Sequence, residues 1–362
     1  MKQMLKFVRT IIMAFLAIAL TGIKLFAQGV EIKAGVKPTF TIARSHYTGW
    51  EPWDYIESSG LLKKWGDKYG VTLKLTPWMD YVPSINLFVA GKADGVVITN
   101  MDTLTGPAAG GVDSTALIVG DFSNGNDGIV LRNGSSIADL KGRKNLVVQG
   151  TVSAYLNSRA LESAKLSDKD ITEVNTLETN IVSTFIASPP DMTVTTWNPF
   201  LMEVRNQKGA KLVFDSSKIP GEIMDLLVVR TNLPIEAKKA LVGAWYDCMK
   251  VMSGQGKPTN EAIEAMAKSA GGTLAEFNAQ LKTTRMFYDP KDAAAFASGP
   301  DVKKTMERVR TFCFDHGLYG SSLTSKDAIG IEFADKSVMG SKTNIKFRFD
   351  PTYMQLAAEG RL

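Results

Sequence analysis

Apolar and polar positions along this chain switch repeatedly between two rhythms. "TFTIAR" is a short β-rich run, and "WDYIESSGLLKKWGDKY" after it has helical spacing. "VTLKLTPW", "YVPSINLFVAGK", "ADGVVITN", "MDTLTGPAAGG" and "STALIVGDF" follow. Strand and helix at this spacing predict βαβ units and a largely parallel sheet. After Asp121 the turn formers of "SNGNDG" interrupt the pattern. A second set of units then runs through "GIVLR", "KNLVVQG", "TVSAYLNSRALESAK", "ITEVNT", "LETNIVSTFIA", "DMTVTTW", "NPFLMEVRNQ" and "KLVFD". Beyond "IMDLLVVRT" the pattern is helical to about Tyr319, and the tail "KFRFDPTYMQLAAEGRL" has no assigned role.

The resulting expectation is an α/β protein of two lobes. Residues 30–123 form the first lobe, residues 124–225 the second, and residues 226–362 return to the first as a mostly helical C-terminal extension. Two crossovers make a hinge. Ligands of open α/β sheets sit beyond the carboxyl ends of the strands, so two such lobes would enclose a site between them.

The N-terminus changes the compartment and the charge. Lys2, Lys6 and Arg9 precede the apolar run Ile11 to Leu20, and small residues follow at Ala27-Gln28-Gly29. That pattern predicts a secretory signal peptide over residues 1–27 and export to the periplasm. The apolar run is short for a membrane span, and no cysteine near the cut offers a lipid anchor. The chain has 42 Lys and Arg against 37 Asp and Glu. Without Lys2, Lys6, Arg9 and Lys24 the balance is 38 against 37, a net of +1. A near-neutral chain gives no support for nucleic-acid binding.

Catalytic and metal signatures are sparse. "GTVSAYL" places its serine one position late for a G-x-S-x-G elbow, and "SGQGKPT" is too short for a P-loop. His46 and His316 are the only histidines, and neither lies in an acid or serine motif. Cys248 and Cys313 are the only cysteines; a disulfide and two buried thiols are both open. Neither set makes a ligand cluster, so no metal and no cofactor is expected.

The informative residues cluster at strand ends. They are "HYTGWEPW" with Trp50, Glu51 and Trp53, "PWMDY" with Trp78 and Asp80, "TNMDT" with Asp102, and "GDFSNGND" with Asp121. In the second lobe they are "QGT" with Thr151, "NTLET" with Glu178, and "TTWNP" with Trp197. Tryptophan faces attract cations, and carboxylates supply charge, so this composition suits a planar or quaternary cation. Basic residues are scarce there, with Arg44 the main exception. Each tryptophan also fits an ordinary core position, and Asp80 and Asp102 also read as helix N-caps.

The order "GWEPWDYIESSGLLKKWG", "ADGVVITNMDTL", "GTVSAYLNSRAL" and "TTWNPFLMEV" resembles the periplasmic substrate-binding proteins for nitrate, sulfonate, taurine and thiamine precursors. "GDFSNGNDGIVL" and "TTWNP" are most similar to the binding proteins of transporters found beside urea carboxylase. The resemblance implies a two-lobed Venus-flytrap fold, no enzymatic activity, and delivery of a solute to an inner-membrane ABC permease. It implies a monomer whose ligand is a small nitrogen-rich compound, the guanidinium cation first and urea or an amidine-like compound next. Trp50, Trp53, Trp78 and Trp197 would supply faces, and Asp80 and Asp102 charge. Glu51, Asp121, Glu178 and the helix start at Thr151 are further candidates. The acidic "GWEPW" and "WMD" loops depart from the sulfonate and taurine pattern. The alternatives are a neutral or anionic solute held by helix N-termini, and a periplasmic enzyme related to the pyrimidine synthases.

Overall fold

The computed structural model describes residues 37–362, so the signal-peptide expectation lies outside the described residues. The first apolar runs become β1 (Thr39–Ala43), β2 (Thr72–Leu75), β3 (Gly95–Thr99) and β4 (Ser114–Ser123). Every residue of β3 is buried, as expected for a strand with helices on both faces. β5 (Asp127–Leu131), β6 (Lys144–Val147), β7 (Thr172–Asn175), β8 (Thr193–Trp197) and β9 (Lys211–Asp215) then build a separate sheet in the order β7-β6-β8-β5-β9. The chain returns through β10 (Met224–Arg230).

β10 inserts antiparallel between β3 and β4, so the first sheet is mixed rather than largely parallel. The returning segment, helical over most of its length, also supplies β11 (Thr284–Met286), β12 (Gly330–Glu332), β13 (Val338–Met339) and β14 (Ile345–Phe349). The tail "KFRFD" thus has a structural role: β14 pairs parallel with β4 and extends the sheet to the order β13-β12-β14-β4-β10-β3-β1-β2. The α/β architecture has two lobes, one per sheet, and the chain passes between them after Ser123 and after Asp215.

The helix expected across "WDYIESSGLLKKWGDKY" is two, Pro52–Ser58 and Leu61–Tyr69. Gly60 between them has φ of +80°, a left-handed conformation that ends a helix at little cost only for glycine. The second of these helices packs on Ile235–Met252 where Trp65 lies over Gly243; a Cβ there would fall 2.4 Å from the indole. Cys248 and Cys313 are free and buried. No helix of the described residues is long and apolar enough to cross a membrane.

Candidate functional site: an acid-lined cavity between the lobes

The loop leaving β1 forms the first wall. The Tyr47 carbonyl accepts the N–H groups of Trp50 (2.8 Å) and Glu51 (3.1 Å), closing a turn that sets both rings against the first lobe. Gly49 lets this turn lie on Asp121, because a Cβ at position 49 would come within 2.2 Å of Asp121 Oδ2. From there a run of rings crosses the cleft. Tyr47 and Trp50 are 5.0 Å apart between centroids, Trp50 and Tyr81 5.5 Å, and Tyr81 meets Trp197 of the second lobe edge-on at 5.8 Å. With Thr99, Val152, Ile223, Asp127 and Asp225 these four rings line a closed cavity of about 10 Å³, room for about one water molecule.

Carboxylates give the cavity its character. Asp225 on β10 lies in register with Asp121 on β4 and with Thr99 on β3. Asp127 opens β5 opposite Trp197. Asp121, Asp127, Asp225 and nearby Asp102 are all at most 3% exposed. Tyr47 donates its O–H to Asp121 Oδ1 at 3.1 Å, while Asp121 Oδ2, Asp225 Oδ2 and Asp102 Oδ1 have no hydrogen-bond partner. Burial raises the Asp102 carboxyl to about 6 and those of Asp121 and Asp127 to about 7. Asp225 is raised well above the usual carboxylate range, by burial first and then by the charges of Asp121 and Asp127.

Among the described residues no basic side chain pairs with these four acids. The buried basic residues among those described are engaged elsewhere. Arg44 pairs with Asp54 (3.1 Å) and Glu57 (3.2 Å), Lys238 donates to the Thr231 carbonyl, and Arg310 pairs with Glu307 and Asp327. Buried carboxylates without a counter-charge are costly; they are relieved by taking up protons, as their raised pKa values describe, or by a bound cation. Among the described residues no group of three or more His, Cys, Asp or Glu is placed to hold a metal ion.

The lobes touch through polar contacts around the cavity. Trp197 Nε1 donates to the His46 carbonyl at 3.0 Å. Glu178, at the start of Glu178–Ala187, accepts the Tyr81 N–H, and burial raises its carboxyl to about 7. Asp102 Oδ2 accepts Tyr81 O–H (2.8 Å) and Thr99 O–H (2.9 Å) in its own lobe and Val152 N–H (3.4 Å) in the other.

Of the candidates named from sequence, Trp50 and Trp197 line the cavity, and Asp102 and Asp121 stand directly behind it. Trp53 does not reach it: the ring is 1% exposed and packs on Trp245 at 5.1 Å. Trp78 has its faces taken by His46 at 4.0 Å and the Arg44 guanidinium at 4.2 Å. Glu51 is fully buried against His46 Nδ1 at 2.7 Å, and its carboxyl is raised, first by burial. Thr151 caps Val152–Ser163, accepting Ser153 N–H at 3.4 Å. Asp80 occupies the N-cap position of Tyr81–Val89 without a capping hydrogen bond, and its Oδ1 is unpartnered. Asp102 is no cap either; Thr99 fills that role and Asp102 sits in the first turn of Asn100–Thr103.

Tyr47, Tyr81, Thr99, Asp127, Val152, Ile223 and Asp225 are the lining residues that sequence reasoning did not name. Asp127 and the two tyrosines lay inside loops already singled out. Asp225 carried one faint signal, a lone acid in the apolar strand "IMDLLVV".

No family model and no curated protein matches the sequence. Solved structures do. The alkanesulfonate-binding protein SsuA of Xanthomonas axonopodis pv. citri, bound to MOPS, matches over 81% of this chain and 98% of its own at 14% identity, with TM-score 0.65. The periplasmic aliphatic sulphonate binding protein SsuA of Escherichia coli matches over 80% and 96% at 16% identity, TM-score 0.63. The periplasmic nitrate-binding protein NrtA of Synechocystis matches over 90% and 99% at 12% identity, TM-score 0.58. The fold is the periplasmic-binding-protein fold. At these identities the likeness concerns architecture, and the chemistry of the cleft has to be read from this chain's own residues.

Proposed function

We propose that this protein is the periplasmic solute receptor of an ABC importer and that its solute is a small planar nitrogen-rich compound, the guanidinium cation first, with neutral urea or an amidine-like compound next. The observation that carries the ligand class is the group of Asp102, Asp121, Asp127 and Asp225, all buried, none paired with a cation, beside a ring-walled cavity. With the lobes parted to admit it, a planar cation could lie against Trp50 or Trp197, each face contributing roughly 0.5–2 kcal/mol when desolvated. Its N–H groups would meet Asp127 and Asp225. The matched proteins are named for sulfonate and nitrate, and such anions would face four buried acidic side chains here. The receptor role and export rest on the shared fold and on the N-terminal sequence pattern.

Guanidinium has four heavy atoms, which caps its binding free energy near about −6 kcal/mol, or roughly tens of micromolar. Titration calorimetry of the protein with guanidinium, urea, taurine, nitrate and a thiamine pyrimidine tests the reading. Heat with guanidinium, alone or with weaker binding of urea, is expected. Taurine or nitrate binding in its place overturns the cation assignment, and new products after long incubation overturn the receptor role.

A further inference from the structure

The helix Val152–Ser163 runs for three turns in the second lobe, and its N-terminus points into the cleft. Such an end, with free N–H groups and the positive pole of the helix dipole, is suited to an anion. In this protein the place is taken. Asp102 of the first lobe sets its Oδ2 at 3.4 Å from Val152 N–H, steadied by the hydroxyls of Tyr81 and Thr99 at 2.8 and 2.9 Å. Ser153 Oγ, at the same helix end and 1% exposed, has no partner.

We propose that Asp102 is the specificity-determining residue of the cleft: a carboxylate built into the protein that occupies the anion seat at this helix end, so that small anions are refused and only the cation side of the cavity is open to solute. The inference shares with the proposed function the assumption that this cleft is the solute site, and it does not depend on which cation binds. Truncating the side chain would convert the seat into an oxyanion site. Tyr81 O–H, Thr99 O–H and Val152 N–H, the three donors that now meet Asp102 Oδ2, would then face the vacated position.

The test is titration of formate and nitrate into the wild type, Asp102→Ala and Asp102→Asn. Formate restores the carboxylate that the alanine variant lacks, so that variant should bind formate at least about tenfold more tightly than the wild type does. The asparagine variant still fills the seat and should gain no formate binding. Asp102→Ser leaves a smaller void and serves, with the same expectation as alanine, should the alanine variant fail to fold. Formate or nitrate binding to the wild-type cleft, or no formate binding to a folded alanine or serine variant, overturns the inference. Guanidinium titrated into the same proteins reads the other claim separately. A wild type that ignores guanidinium while Asp102→Ala takes up formate would end the guanidinium assignment and leave this inference standing.

Discussion

Replacing Asp127 by asparagine should move stability and affinity in opposite directions. Asp127 is 3% exposed, lines the cavity and has no basic partner. Burial, and then the charge of Asp102, lift its carboxyl from 3.8 to about 7. A pKa raised in the folded state means that ionisation opposes folding; stability is full below about pH 4 and lost as pH rises through about 7. Three pK units correspond to about 4 kcal/mol, an upper limit on what the amide could recover at pH 8. At about 2.1 cal/mol/K of unfolding entropy per residue over some 320 residues, a gain of 1–4 kcal/mol raises Tm by roughly 2–6 °C. Binding changes the other way. A unit charge at 4 Å contributes about 4 kcal/mol at an effective dielectric of 20, of which the amide's own hydrogen bond returns about 1. Guanidinium affinity should therefore fall about a hundredfold. Calorimetric melting without solute at pH 8 and guanidinium titration of the same preparations give both numbers. A variant that melts lower than the wild type without solute, or that binds guanidinium unchanged, refutes the reasoning.

The same carboxyls set a pH dependence. Asp102 near 6 and Asp121, Asp127 and Glu178 near 7 are all raised, so the solute-free protein should melt at a higher temperature at pH 5.5 than at pH 8. Saturating guanidinium favours the ionised forms and should flatten that slope; a solute-free Tm that rises over this range contradicts the account. Trp53→Ala should cost about 3–5 kcal/mol through the contact with Trp245, while affinity holds in whatever fraction folds. Trp197→Ala should weaken solute binding roughly 2- to 30-fold by removing a ring wall, and calorimetry on the two variants separates core from cavity. Burial raises the thiols of Cys248 and Cys313 far above the ordinary range, so a thiol reagent should label neither until the chain is unfolded.

Much of the architecture was legible because strand interiors such as "VVI" in β3 and "ALIV" in β4 are unbroken apolar runs bounded by turn formers. The insertion of β10 antiparallel between β3 and β4 was not, since pairing across so long a sequence separation leaves no local trace. β14 was missed for a related reason: "IKFRF" is short and charged, and it becomes a strand by finding the edge of β4. In the site, composition pointed to the correct loops but not to the orientation of their side chains. Trp50 and Trp53 are three residues apart, yet one ends the Tyr47 turn facing the cavity and the other begins a helix facing the core. Asp80 and Asp102 looked alike as acids before helices, but only Asp102 is held by hydroxyls from two neighbouring elements and by the opposite lobe. Asp225 became visible only once β10 lay beside β4 and put two carboxylates in register.

The central claim is that the cleft holds a cation against Asp127 and Asp225. A crystal structure of the protein grown with guanidinium tests it most directly. The account predicts planar density between Trp50 and Trp197, with nitrogens about 3 Å from both carboxylates. Guanidinium density only outside the cleft, or an anion seated there at the Val152 N–H, would contradict it.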